Sequence, residues 1–246
     1  MSITKDSRRA APRVSLRGAL RLAVPVLAVF AFTAMGMPGF ENRAAPGAPA
    51  SVAPSGSSTT AAQLLETLPV KGRAPKTGYE RTESFGSAWR DVDRNGCDTR
   101  NDILARDLVN IDRPGGCRVL AGQLHDPYTA TTVDFVRGNG TSQAVQIDHV
   151  VALMNAWQSG AQRLSAEKRL ELANDPLNLL AVDGPSNSRK GAADAASWLP
   201  PNKAVRCDYV ARQVAVKARY ELWVTQAEHD AIARVLSTCP GHGVPS

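Results

Sequence analysis

The sequence predicts an α+β fold preceded by a leader and a linker, and three observations carry that reading. Apolar residues alternate in short runs at positions 117–124, 131–136 and 144–148, the period of half-buried strands. Other segments repeat apolar residues every three or four positions, as amphipathic helices do. With 43% hydrophobic residues in 246, the chain can bury a core of ordinary domain size and is not wholly disordered.

Residues 1–37 read as a signal peptide or an N-terminal anchor. A basic stretch ending at Arg21 runs into an apolar segment at 22–35. That segment is shorter than the ~20 residues a spanning helix needs, and the order basic-then-apolar fits a secretory signal. Arg8-Arg9 hints at a twin-arginine signal, but Ala10, Ala11 and Pro12 do not continue it. Residues 38–60 are Pro, Gly, Ala, Ser and Thr in the main and read as a flexible linker. The formal charge of +6 belongs mostly to the leader: residues 1–43 hold seven Lys/Arg and two acids, leaving 22 basic and 21 acidic residues after them. Bulk charge therefore does not argue for a polyanionic partner, and any phosphate-binding charge must be local.

The domain of residues 61–246 divides as follows. Residues 61–68 form a short helix with Leu64, Leu65 and Leu68 on one face. Asp98 or Thr99 caps a helix through Leu108. Strands at 117–124 and 131–136 are joined by the turn Asp126-Pro127-Tyr128, and Gly138-Asn139-Gly140 separates them from a third strand at 144–148. Helices follow at 149–159 and 165–173, then a strand at 177–182 ended by Asp183-Gly184-Pro185, then a helix at 186–196. Helices at 203–223 and 225–237 close the domain. Three of the four tryptophans, Trp89, Trp157 and Trp198, are assigned to packing rather than base stacking, and His125, His229 and His242 carry no pattern.

The cysteines Cys97, Cys117, Cys207 and Cys239 are widely spaced, without a C-x-x-C pair, so a zinc cluster is disfavoured and disulfides agree with export. Three pairings are open. Cys97–Cys117 and Cys207–Cys239 are favoured because each closes a local loop, at roughly 3–4 kcal/mol of stabilisation apiece in the chain-entropy picture.

Chemistry concentrates at Gln146-Ile147-Asp148-His149-Val150. An Asp-His pair at a strand end places a hard oxygen ligand beside an imidazole able to activate water. Downstream come Asn174-Asp175-Pro176-Leu177-Asn178 and Asn187-Ser188-Arg189-Lys190-Gly191. Taken singly, each residue has a structural explanation: Asp148 and Asn187 as helix caps, His149 as a buried histidine, Asn178 as a turn residue. Their joint occurrence in this order carries more weight.

In that order the chain resembles the HNH, or ββα-metal (His-Me finger), nuclease family. It is most similar to exported bacterial proteins related to the C-terminal nuclease domain of GmrSD-type restriction endonucleases. The shared segments are Cys97-Asp98-Thr99-Arg100, Asp126-Pro127-Tyr128-Thr129, Ile147-Asp148-His149-Val150, Ala173-Asn174-Asp175 and Trp198-Leu199-Pro200-Pro201, so the resemblance spans about Tyr79 to Cys239. It implies a ββα-metal core with a helical insertion, flanking helices and disulfide staples. It implies His149 as general base, Asn178 as the asparagine that orients it, and Asp148 and Asn187 as ligands of Mg²⁺ or Mn²⁺. Arg100, Arg189 and Lys190 are the candidate phosphate contacts. The departures are the long helical insertion between His149 and Asn178 and an Asn, rather than a His, as the last ligand. The implied protein is a secreted, monomeric, metal-dependent endonuclease acting on nucleic acid, DNA before RNA, with little sequence specificity. It needs no other protein, and it meets a membrane only if the leader stays uncleaved. The alternative is a non-catalytic exported nucleic-acid-binding module with a nuclease-like fold.

Overall fold

In the computed structural model, residues 59–245 are described. The leader and residues 38–58 of the linker lie outside them. Among the described residues, no helix is long and apolar enough to cross a membrane.

The chain enters through α1 (Ala61–Leu65), held by a reciprocal capping box between Thr60 and Gln63. A short helix with no strong sequence signal follows, α2 (Arg81–Phe85), whose Phe85 is buried. Asp98 caps α3 (Thr99–Asp107) by accepting from the Asn101 amide, as its position predicts. Between α2 and α3 lies an Asp-rich turn. Asp91 accepts from the amides of Asn95 and Gly96 at 3.1 and 3.0 Å, and Gly96 has a φ of +89°, which favours glycine. The spacing Asp91, Asp93, Asn95, Gly96 follows calcium-binding loops through their sixth position. Among the described residues, however, no group of three His, Cys, Asp or Glu is placed to hold a metal ion.

The expected helix through Leu108 stops one residue earlier, because Leu108 begins an edge strand absent from the sequence expectation. This β1 (Leu108–Asp112) pairs antiparallel with β2 (Ala121–His125), which pairs with β3 (Thr132–Val136). An irregularity between Val109 and Asp112 and the left-handed Asn110 obscure the alternation. The strand expected at 117–124 begins only at Ala121. A separate antiparallel hairpin joins β4 (Val145–His149) to β5 (Leu179–Asp183), with Ile147 opposite Ala181 and His149 opposite Leu179.

Further boundaries move, the strand expected at 177–182 running over Leu179–Asp183 after a 3₁₀ turn at Pro176–Asn178. His149 ends β4 rather than starting a helix, because the Val150 amide donates to the Asn178 carbonyl and the Val151 amide to Asn178 Oδ1, both at 2.8 Å. Helix α4 (Leu153–Gln158) starts only after that pairing ends. Asp183-Gly184-Pro185 terminates the strand as expected but belongs to the next helix. Asp183 caps α6 (Gly184–Lys190), Pro185 sits in its first turn, and Gly191 ends it at a φ of +54°, so the helix expected over 186–196 is shorter. Between the hairpin strands lies α5 (Ala166–Asn174), capped by Ser165. The helix expected over 203–223 is a 3₁₀ turn followed by α7 (Arg206–Arg219), and α8 (Gln226–Leu236) is capped by Thr225.

The architecture is thus α+β. Helix α3 packs Ile103 and Leu104 between the three-stranded sheet (Leu124, Phe135) and the hairpin (Val145, Ile147, Leu179, Ala181). A second cluster joins α1, α7 and α8 beneath Tyr128 and Val182. The third gathers Phe85, α4 and α5 around Tyr220 and Leu222. Disulfides close Cys97–Cys117 and Cys207–Cys239, with Cα separations of 5.2 and 6.6 Å, the pairing that local loops favour. Lys217 is buried between α7 and α8, donating to Glu228 and to the Trp223 carbonyl.

Gly184 is fixed by space. A Cβ there would lie 2.0 Å from the Gln143 carbonyl oxygen, while its amide donates to the Ala144 carbonyl at 2.9 Å. This contact welds the start of α6 to the entry of β4. Gly184→Ala is expected to cost about 3 kcal/mol or more in urea denaturation. Gly72→Ala, with nothing near its added carbon, is expected to stay within about 0.5 kcal/mol. Equal stabilities would refute the contact.

Candidate active site

Strand alternation divides the end of β4 between two neighbours. Gln146 and Asp148 face α6, where Asn187 Nδ2 donates to Gln146 Oε1 at 2.9 Å and Lys190 Nζ donates to Asp148 Oδ1 at 2.9 Å. His149 faces the C-terminal end of α5, its Nε2 lying 2.9 Å from the Ala173 carbonyl oxygen. A carbonyl can only accept, so Nε2 carries the proton and Nδ1 of the neutral ring is the free acceptor. Trp89 stacks on the imidazole, with centroids 6.1 Å apart and planes 17° from parallel. Burial lowers the His149 pKa from 6.5 to about 3; the Ala173 carbonyl opposes this, and Arg81 and Lys190 add to it. The ring is therefore neutral across the ordinary pH range.

Asp148 is only 4% exposed. Tyr128 Oη donates to its Oδ2 at 2.5 Å, opposite the lysine on Oδ1. Burial raises its pKa, with Lys190 and Tyr128 pulling the other way. Lys190 also donates to the His149 carbonyl at 2.8 Å. The turn that delivers Tyr128 is built by Asp126, which accepts from the Thr129 amide and hydroxyl and from the Asp183 amide. Trp198 and Tyr209 pack edge-on against the Tyr128 ring, and Asn202 ties the turn's carbonyls down.

Asn178 is fully buried. Besides receiving the two amides after His149, it donates to the Val151 and Leu172 carbonyls at 3.3 and 3.4 Å. It holds the chain leaving β4 against the chain entering β5. Asp175, three residues earlier, is anchored by Arg219 and Tyr220 at 3.0 and 2.8 Å, which fixes the carbonyl offered by Ala173 in the same segment.

Asp148, His149 and Asn187 line one open cleft of about 260 Å³, together with Tyr79 and Arg81. The sequence candidates for phosphate fare differently. Lys190 is buried in its ion pair with Asp148 and is not a surface cation. Arg100 reaches the Val145 carbonyl at the opposite end of β4, and Arg189 turns to Ser186 Oγ. Neither lines the cleft. Arg81 does, although the sequence around it carries no motif. Trp89, Tyr128 and Ala173 were also missed as site residues. Tyr128 and Ala173 stand within family-like segments; Trp89 and Arg81 are recognisable only in three dimensions.

Residues 98–235 match the family model described as "GmrSD restriction endonucleases, C-terminal domain". The chain belongs to that family. It is also 37% identical over 185 residues to a protein of Arthroderma benhamiae named "Uncharacterized secreted protein", covering 74% of this chain and 86% of that one. No solved structure matches it.

Two predictions follow from the buried groups. A histidine whose folded pKa is lowered leaves the unfolded chain binding more protons below about pH 6.5, so stability falls as pH drops from there towards 3. Wild type is expected to lose about 2 kcal/mol more than His149→Gln between pH 7 and pH 5, measured by urea denaturation at both. Parallel losses would place His149 in water. Lys190→Ala leaves the Asp148 charge buried and unpaired, which is expected to cost about 3–5 kcal/mol. Combining it with Asp148→Asn should recover much of that loss, and strict additivity would show the two groups to be independent.

Proposed function

We propose that this protein is an exported, metal-dependent endonuclease that hydrolyses phosphodiester bonds in nucleic acid, DNA before RNA, with little sequence specificity. The observation that carries the reading is the convergence of Asp148, His149 and Asn187 on one cleft, with the His149 ring neutral and its Nε2 committed to a carbonyl. The reading treats β4, β5 and α6 as a ββα-metal core, interrupted by the insertion from residues 150 to 178. Export is supported by two disulfides, by the relative named as secreted and by the basic–apolar leader.

The donor set suits a hard cation such as Mg²⁺ or Mn²⁺. Asn187 commits its Nδ2 to Gln146, which leaves its amide oxygen as an acceptor on the cleft. Asp148 supplies the carboxylate, and both are oxygen donors. No cysteine lines the cleft, and its one histidine is assigned to proton transfer, so the donor set is oxygen rather than the nitrogen and sulfur that zinc prefers. With Tyr128 and Lys190 already on Asp148, Asp148 and Asn187 would hold such an ion together with several waters. When bound, it neutralises charge on the scissile phosphate and the leaving oxygen.

The chain's own residues do the rest. His149 Nδ1 accepts a proton from the attacking water. The Ala173 carbonyl, hydrogen-bonded to Nε2–H, holds the tautomer and steadies the imidazolium that forms. Trp89 fixes the ring plane, and its φ of +60° is backbone strain of the kind that clusters at functional positions. Asn178 keeps the chain beyond His149 in place, so the ring cannot swing away.

One observation favours the non-catalytic alternative: both Asp148 oxygens already have partners. Incubating supercoiled plasmid with the purified protein separates the two readings. Mg²⁺ or Mn²⁺ should give nicked and linear product, EDTA none, and His149→Ala should cut about 10²–10⁴ times more slowly. DNA binding without cleavage under any divalent ion would establish the alternative. An RNA substrate in parallel reads the preference.

A further inference from the structure

Resting on the nuclease reading, we propose that Arg81 holds the substrate phosphate, so that the nucleic-acid backbone is gripped by the first residue of α2 rather than by the last helix of the hairpin unit. The charge balance of the cleft leads there. Its charged side chains are Asp148 and Arg81, and Asp148 is neutralised by Lys190. Arg81 is therefore the uncompensated charge facing the cleft.

Its surroundings leave it available. Arg73, Arg106 and Arg219 are committed to Asp194, Asp107 and Asp175, whereas among the described residues Arg81 has no carboxylate partner. It lines both the open cleft and the narrower recess under Trp89, and His149 is common to the two. A phosphate held there lies alongside the imidazole. Its planar guanidinium can offer two parallel N–H donors to phosphate oxygens.

The base of Arg81 is rigid although its head is exposed. Phe85, one turn later, is buried against α4 and α5. Arg169 Nε of α5 donates to the Ser84 carbonyl at 2.5 Å. The Arg90 amide donates to Asn174 Oδ1 at 3.0 Å, closing the segment onto the residue after Ala173. Tyr79 lines the same cleft. Anchoring the backbone beneath Arg81 limits where its guanidinium can reach, which helps position a scissile phosphate.

The test is binding rather than turnover, so that it stands apart from the nuclease reading. Labelled duplex DNA is titrated with the full chain in EDTA, at several salt concentrations from about 50 to 200 mM. Arg81→Ala should weaken binding about tenfold or more and flatten the log–log salt slope by about one. Arg81→Lys, which keeps the charge but not the fork, should retain the slope while recovering only part of the affinity. Arg189→Ala, outside the cleft, should change neither. Binding by Arg81→Ala within twofold of wild type at an unchanged slope overturns the proposal, as does wild-type protein that does not bind at all. Wild-type protein that binds through Arg81 yet never cuts with Mg²⁺ or Mn²⁺ sinks the nuclease reading and leaves this one standing.

Discussion

The pairing register of the β4–β5 hairpin is the constraint on which the site rests. Side chains alternate along a strand, so setting Asp148 opposite Leu180 and His149 opposite Leu179 sends the carboxylate to α6 and the imidazole to the end of α5. A slip of one residue would exchange them. Asn178 blocks that slip, because its backbone carbonyl and side-chain oxygen take the amides of the two residues following His149. The close approach at Gly184 locks the other end of the hairpin. Between these two clamps a five-residue strand holds its functional end without help from a wide sheet.

The second requirement is electrostatic. A carboxylate and a lysine withdrawn from water each carry a desolvation penalty of several kcal/mol, and only complete hydrogen bonding offsets it. Asp148 receives Tyr128 and Lys190, and Lys190 also donates to the His149 carbonyl. This explains why the shared segments lie far apart in sequence: most of them support rather than react. Asp126 shapes the turn that presents Tyr128, Trp198 packs its ring, and Asp175 steadies the carbonyl that orients His149. A family-like segment is thus as often scaffolding as chemistry.

That distinction explains what the sequence could and could not convey. The strand ending at Asp148-His149, the cap at Asp98 and the local disulfide pairs are read from spacing alone, because each depends on neighbours within a few residues or one loop. Tyr128 had to be read as a turn residue, since nothing local says that its hydroxyl reaches a carboxylate twenty positions on. In the sequence Lys190 is a candidate phosphate contact on a helix over 186–196; only the packing of α6 across β4 shows that its ammonium is interior. Arg81 and Trp89 lie beyond any motif, and their place beside His149 comes from α2 docking on α5. Strand β1 was hidden by its own irregularity, and α2 by its length of five residues.

The Asp148–Lys190 pair also bears on how a nearly neutral domain can address a polyanion. Positive charge spread over the surface would attract nucleic acid at any point, whereas here one carboxylate at the cleft is cancelled internally and a single guanidinium remains. On the proposed reading the same pair would also limit a divalent ion: a cation approaching Asp148 would meet a carboxylate whose charge is already shared with an ammonium 2.9 Å away, so the Asn187 oxygen, retained water and the substrate phosphate would have to supply most of its hold.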